Sequence, residues 1–228
     1  MIINGFQKLT LLDFPGRTAA IIFTAGCDLR CPFCHNAPLV SRIRFDERMD
    51  EGEIISYLER RKGLLDGVVV SGGEPLLQKD IKEFLGRLKA LGYAVKLDTN
   101  GSSPEKLREV ISGGLVDYVA MDVKNAPALY PVTTGIGDLD ITPFERSREL
   151  LLSGVVDYEF RTTVTSELHT KESIAEAARW IKGAKRYFLQ NFKDSGDLVG
   201  EGMSPCSQEM LEDMRRAAAQ YVPSVSVR

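Results

Sequence analysis

Gly67-Val68-Val69-Val70-Ser71-Gly72-Gly73-Glu74-Pro75 runs from an unbroken apolar block into two glycines, an acid and a proline. Three consecutive valines leave no polar face, so this segment as a strand has to be covered on both sides, the condition of strands in a parallel sheet. The glycine pair and Pro75 then end the strand in a turn whose backbone can come close to another group. This pattern repeats along the chain. Besides 67–71, short β-branched runs predict strands over 19–24, 94–98, 118–123, 158–165 and 187–190. Amphipathic stretches predict helices over 50–62, 79–91, 104–112, 142–152, 171–181 and 207–221. In the second of these, Ile81, Phe84, Leu85, Leu88 and Leu91 form one apolar stripe, and Trp180 belongs to such a stripe in a later one. Pro104 after Ser103 and Pro143 after Thr142 mark helix starts. Segment 2–12 predicts an extra strand leading in.

Six strand–helix units in 228 residues, with no linker or repeat between them, predict a single domain over 1–228. Its architecture is α/β, either a doubly wound open sheet or a barrel, complete or partial. The polar and glycine-rich clusters Ala25-Gly26-Cys27, Ser71-Gly72-Gly73-Glu74, Asp98-Thr99-Asn100-Gly101 and Asp122-Val123-Lys124 all follow strand ends. Parallel strands bring them together at the carboxyl edge of the sheet, where both architectures build active sites. The stretch 125–140, rich in Pro, Gly and Thr, follows Lys124 at that edge and predicts a flexible lid or docking loop. His169, beside a helix start, is expected at the surface.

Bulk composition narrows the function. With 29 Lys+Arg against 32 Asp+Glu, the net charge of -3 gives no electrostatic reason to expect nucleic acid or an anionic membrane as partner. No apolar run approaches the ~18 residues of a membrane span, and residues 1–15 lack the pattern of a signal peptide. The expected location is the cytoplasm, where cysteines stay reduced and a disulfide framework does not form.

Three of the four cysteines nevertheless lie within eight residues, in Cys27-Asp28-Leu29-Arg30-Cys31-Pro32-Phe33-Cys34, a C-x3-C-x2-C spacing. Such clustering points to metal or redox chemistry. Thiolates are the soft ligands that iron–sulfur clusters need, and one tight loop lets three of them cap three corners of a cuboidal cluster. The fourth iron then keeps a position open for an exogenous ligand, as catalytic zinc does. Two other readings stand beside this one. Structural zinc wants four ligands, and His35, next to Cys34, is poorly placed to complete a tetrahedron with it. A non-catalytic iron–sulfur electron carrier would need Cys206 as fourth ligand, yet Ser204-Pro205 before it looks like an ordinary turn leading to a helix, so Cys206 is expected to be a partly buried thiol without a role.

The cysteine spacing, with Phe33 before the last cysteine, resembles the signature of the radical S-adenosylmethionine superfamily, and Gly72-Gly73-Glu74-Pro75 resembles that superfamily's glycine-rich motif. The resemblance spans about 11–190 and implies a partial (β/α)6 barrel of the TIM type, with parallel strands and outer helices. It implies a 4Fe-4S cluster on Cys27, Cys31 and Cys34 and S-adenosylmethionine as cofactor. Phe33, Cys34 and His35 would lie beside its adenine. Gly72, Gly73, Glu74 and Asp98 would meet its ammonium, and Lys124 its carboxylate. Within the superfamily the chain is most similar to the activating enzymes of glycyl-radical enzymes. Cys34-His35-Asn36, Asp98-Thr99-Asn100-Gly101, Met121-Asp122-Val123-Lys124 and Arg161-Thr162-Thr163-Val164 match their motifs, and Asp13-Phe14-Pro15-Gly16 resembles the entrance of the anaerobic ribonucleotide reductase activating proteins. That likeness implies a glycyl-radical partner, anaerobic ribonucleotide reductase first among the candidates, with flavodoxin or ferredoxin as electron donor. It also implies a monovalent cation held by Asp98, Thr99 and Asp122. One departure is visible: where related activases carry a histidine after the sixth strand, this chain has Gln190-Asn191, and Asn191 is expected to supply the polar contact instead. A small-molecule radical enzyme such as 7-carboxy-7-deazaguanine synthase shares the size and the Gly-Gly-Glu-Pro motif and is the rival within the class.

Overall fold

A computed structural model describes residues 1–40, 43, 45–194 and 196–228. The elements, in chain order, are β1 (Ile3–Thr10), β2 (Ala19–Thr24), α1 (Ala37–Val40), α2 (Glu51–Glu59), β3 (Gly67–Gly72), α3 (Ile81–Ala90), β4 (Ala94–Thr99) and α4 (Pro104–Ser112). There follow β5 (Tyr118–Asp122), α5 (Tyr130–Thr134), α6 (Thr142–Leu152), β6 (Asp157–Val164), α7 (Lys171–Trp180), β7 (Tyr187–Asn191), α8 (Gln208–Ala218) and β8 (Val225–Val227). The strands form one sheet in the order β1-β2-β3-β4-β5-β6-β7-β8. β1 pairs antiparallel to β2, and every later neighbour is parallel.

The two-residue period of the strands sorts side chains between two environments. Ala20, Ile22, Val68, Val70, Val95, Leu97, Val119 and Met121 join the large core under the helices. Their neighbours Ala19, Ile21, Val69 and Tyr118 form a second, smaller cluster on the concave side, closed by Phe14 from the β1–β2 connection. A sheet that is apolar on one face and curls around its own small core on the other is a barrel, here a partial one that stops at the edges β1 and β8. Toward the strand ends the interior turns polar. Lys96 and Glu159 are buried, and Tyr118 donates its hydroxyl to Glu159 at 3.0 Å.

Three sequence expectations need correction. The sheet has a seventh parallel strand, β8, whose three residues are too few to show a period. The stretch 125–140 is not an open loop: it holds a 3-10 turn (Pro127–Leu129) and α5, with Tyr130, Thr133 and Thr134 buried. Thr134 accepts through its carbonyl from the Arg30 N–H at 2.8 Å, which fastens the segment behind the cysteine loop. His169 is fully buried rather than superficial. Its Nδ1 accepts from the Thr165 N–H at 3.1 Å, so the ring is the neutral tautomer whose Nε2–H donates to the Lys124 carbonyl at 2.9 Å. Trp180 lies half-buried at the core margin, edge-on to Tyr130.

Gly135 ends α5 at φ +70, and a Cβ there would sit 2.5 Å from the Arg30 carbonyl oxygen, whereas Gly154, at φ +74, faces open space. Gly154→Ala is therefore expected to cost about 1 kcal/mol of backbone strain. Gly135→Ala should cost a further ~1–3 kcal/mol because the cysteine loop has to move. Urea unfolding of the two variants checks this, and equal costs would show that α5 does not brace the loop.

Candidate active site

One cavity opens at the carboxyl ends of the parallel strands, and most of the residues singled out by motif line it: Cys27, Cys31, Phe33, Cys34 and His35, Gly72 and Gly73, Asp98 and Thr99, and Asp122 and Lys124. Residues that sequence reasoning did not assign to a site line it too, among them Asp13, Asn36, Asn100, Arg161, Thr163 and Gln190. Arg161 and Thr163 were legible as inward-facing positions of a buried strand that are polar where an apolar residue is expected.

The cysteine loop is held by main-chain bonds. The Cys34 N–H donates to the Cys31 carbonyl at 3.0 Å, the Gly26 N–H to Leu39 at 2.7 Å, and the Gly200 and Val199 N–H groups donate to Pro32 and Cys34 at 2.9 and 3.1 Å. The glycine-rich turn is fastened to the same loop, since the Glu74 N–H donates to the Gly26 carbonyl at 2.7 Å. A Cβ at Gly73 would lie 2.0 Å from that oxygen, so only glycine permits the approach. All four cysteines are free. Burial pushes the Cys27 thiol up to about 12 and the Cys31 thiol up to about 11. A metal that binds them has to displace protons and offset that burial, which the direct iron–thiolate bonds of an iron–sulfur cluster would do. The donor set therefore fits such a cluster: three thiols on one cavity wall, with Cys206 buried elsewhere and absent from the lining.

Opposite the thiols stands a row of charges. Lys96 pairs with Asp98. Arg161 bridges Asp98 at 3.2 Å and Asp122 at 2.9 Å, and Lys124 Nζ donates to the outer oxygen of Asp122 at 3.0 Å. Register makes this possible, because Asp122 and Arg161 are direct partners across β5 and β6. Burial opposes charge on Asp122, but Lys124 and Arg161 outweigh it and hold its carboxyl down at about 2. Burial likewise opposes charge on Lys124, and the Asp122 carboxylate outweighs it, so the ammonium stays protonated.

Two expected cofactor contacts stand elsewhere. Glu74 does not line the cavity. It is fully buried, and its carboxylate accepts from the Leu76 N–H at 3.1 Å, the Thr99 hydroxyl at 2.9 Å and the Asn100 N–H at 2.6 Å. A carboxylate so used ties the glycine-rich turn to the end of β4. Asn191 faces an adjoining pocket with His35, Thr163 and Gln190, and both ends of its amide are engaged by the Cys206 main chain at 3.0 and 2.9 Å. Gln190 reaches the main cavity in its place.

Burial raises the Glu74 carboxyl from 4.5 to about 7 against those three hydrogen bonds. A raised folded-state value means stability that is fully present below about 4.5 and is lost as pH rises through about 7. Glu74→Gln removes this titration and sets an amide N–H against a backbone donor, costing about 1–3 kcal/mol. Urea unfolding is expected to show the advantage of the wild type over Glu74→Gln shrinking between those two pH values, and an advantage that grows instead would contradict this environment.

Known proteins resemble this chain in sequence and in fold. The family model of the radical SAM superfamily matches residues 21–138. A protein of Methanocaldococcus jannaschii assigned as a glycyl-radical enzyme activating enzyme is 31% identical over 233 residues, covering 100% of this chain and 95% of its own. The pyruvate formate-lyase-activating enzyme of Clostridium pasteurianum is 29% identical, over 80% of this chain and 77% of its own. Among solved structures, Streptococcus suis SuiB bound to S-adenosylmethionine superposes with a TM-score of 0.68 at 15% identity, over 91% of this chain and 51% of that one, a likeness of fold. Matched over half its length by the family model and over its whole length by a relative, with its cysteine triad, glycine-rich turn and partial barrel in one place, the chain belongs to the radical SAM superfamily of enzymes.

Proposed function

We propose that this chain activates a glycyl-radical enzyme, and that anaerobic ribonucleotide reductase is the partner. The observation that supports it best is the meeting of three thiols, the glycine-rich strand edge and the Asp98–Arg161–Asp122–Lys124 row in one cavity, in a chain whose full-length relative is assigned as a glycyl-radical enzyme activating enzyme. The open side of the barrel between β1 and β8 adds to this reading, because a peptide loop needs lateral access.

In this reading Cys27, Cys31 and Cys34 hold a 4Fe-4S cluster. When bound, the cluster supplies one electron, from flavodoxin or ferredoxin, and S-adenosylmethionine supplies on reductive cleavage methionine and a 5'-deoxyadenosyl radical. The protein's own part is position and the exclusion of water. Lys124 meets the cofactor's carboxylate as a point charge. Asp98 and the carbonyl edge of Gly72 and Gly73 receive its ammonium, and Phe33 to His35 flank its adenine. Glu74 acts one step back, by fixing the turn that presents Gly72 and Gly73. Chemistry so supplied would take a hydrogen atom from a glycine Cα of the partner and carry it away in 5'-deoxyadenosine. Chemistry of this kind on a partner enzyme belongs in the cytoplasm, where thiols stay reduced.

The ligand assignment predicts about four irons and four sulfides per chain after anaerobic reconstitution, lost in Cys27→Ala, Cys31→Ala or Cys34→Ala and kept in Cys206→Ala. Loss of iron in the Cys206 variant would instead support a fully ligated electron carrier. Activation itself is tested by incubating the reconstituted protein with S-adenosylmethionine, a reductant and anaerobic ribonucleotide reductase deuterated at glycine. The expected result is a glycine-centred radical by electron paramagnetic resonance and deuterium in the 5'-deoxyadenosine. Unlabelled nucleoside without a protein radical would refute this partner. A radical obtained only with another glycyl-radical protein would keep the activase reading and replace the reductase.

A further inference from the structure

Lys124 stands just past the end of a ladder. The last register pair of β5 is Asp122 with Arg161, and the Val123 N–H still donates to the Arg161 carbonyl at 2.7 Å. There the main chain leaves the sheet, and its polar groups have to find other partners. Side chains supply them. The Lys124 N–H donates to the Tyr130 hydroxyl at 3.2 Å, and the Lys124 carbonyl accepts from His169 Nε2–H at 2.9 Å. The Asn125 amide donates back to the Leu168 carbonyl at 2.8 Å. Lys124-Asn125 and Leu168-His169 are thus clasped by two bonds that run in opposite directions. The same imidazole is seated on the end of β6, because its Nδ1 accepts from the Thr165 N–H at 3.1 Å. Its ring stands edge-on to Phe33 of the cysteine loop, with centroids 6.1 Å apart. A fully buried ring with one nitrogen accepting and the other donating is satisfied in one tautomer and one orientation.

We propose that His169 is a positioning residue of the cofactor site, acting through the Lys124 carbonyl on the Lys124 ammonium. A lysine stem is flexible, so where its charge can stand depends on where its main chain is held. Asp122 fixes the far end of Lys124, accepting from Nζ at 3.0 Å, and His169 fixes the near end. Held at both ends, the ammonium is offered in one place, and little freedom remains to be lost when a ligand binds. That Lys124 meets the carboxylate of S-adenosylmethionine rests on the function proposed above. The clasp itself does not.

Two side chains of similar shape separate the two bonds of the ring. Asparagine carries its carbonyl oxygen where Nδ1 stands and keeps the Thr165 bond alone, whereas glutamine carries its amide nitrogen where Nε2 stands and keeps the Lys124 bond alone. Each variant gives up one buried hydrogen bond, so a merely structural role predicts that the two behave alike. In the cluster-loaded protein, His169→Gln should bind S-adenosylmethionine within about twofold of the wild type, and His169→Asn should lose at least about fivefold. That loss should vanish when Lys124→Ala is present in both proteins compared. Hydrogen exchange over 122–126, read by mass spectrometry on the full chain without cofactor, should be faster in His169→Asn and unchanged in His169→Gln. Equal affinities of the two variants overturn the proposal, as does a His169→Asn loss that persists at full size without the Lys124 side chain. Exchange over 122–126 that is the same in His169→Asn as in the wild type overturns the clasp, whatever the cofactor does. A wild type that fails to bind S-adenosylmethionine overturns instead the function and the Lys124 contact drawn from it.

Discussion

A row of five charged side chains runs through the interior of this barrel, and the site depends on their pairing there. Strand alternation places Lys96 and Asp98 on β4, Asp122 on β5 and Arg161 on β6 toward the axis, and register brings Asp122 level with Arg161. A charge left alone at such a depth costs several kcal/mol, and removing one partner of a buried pair typically costs about 3–5 kcal/mol. The order Lys96–Asp98–Arg161–Asp122–Lys124 alternates in sign at every step. It ends on the Lys124 ammonium at the cavity wall, so the row determines where that charge is offered. The main chain of that last residue is fixed independently: the Lys124 N–H donates to the Tyr130 hydroxyl at 3.2 Å, and its carbonyl accepts from His169.

The thiols obey a different logic. Burial raises the Cys27 and Cys31 thiols to about 12 and about 11, so a metal that binds them has to displace their protons. The loop is nevertheless already shaped for them. Its carbonyls and N–H groups are engaged by Leu39, Thr134, Val199 and Gly200 rather than by one another alone. Asn100 spans from the end of β4 to this loop, donating to Asp28 at 2.8 Å beside the Cys27 sulfur. The glycine-rich turn, the end of β4 and the cysteine loop thus form one hydrogen-bonded body, with buried Glu74 as the joint between the first two.

Much of this was legible in the sequence. The strand over 19–24 and the helices over 104–112 and 142–152 coincide with β2, α4 and α6, the first because its apolar run is continuous and bounded by polar residues, the helices because a proline marks each start. The helix expected over 50–62 ends at Glu59, since Arg60, Arg61 and Lys62 supply no apolar residue to continue its buried face. The carboxyl-edge motifs converge as expected because parallel strands leave them no other place. What the chain did not disclose is tertiary in origin. His169 sits in a polar stretch, and its buried ring is held between the nearby Thr165 N–H and the Lys124 carbonyl, 45 residues away in the chain. Residues 125–140 have loop composition, yet Tyr130, Thr133 and Thr134 pack because the cysteine loop needs a wall behind it. Glu74 and Asn191 carry the polarity of cofactor ligands, and only the partners they find in space show that they are occupied.

Three thiolates that held a 4Fe-4S cluster would leave its fourth iron for the cofactor. Electron–nuclear double resonance on the reduced, reconstituted enzyme with S-adenosylmethionine carrying 15N in its amino group and 17O in its carboxylate tests this most directly. The account predicts hyperfine coupling from both labels, the signature of both groups bound to one iron. A cluster whose spectrum is the same with and without the labelled cofactor would contradict it.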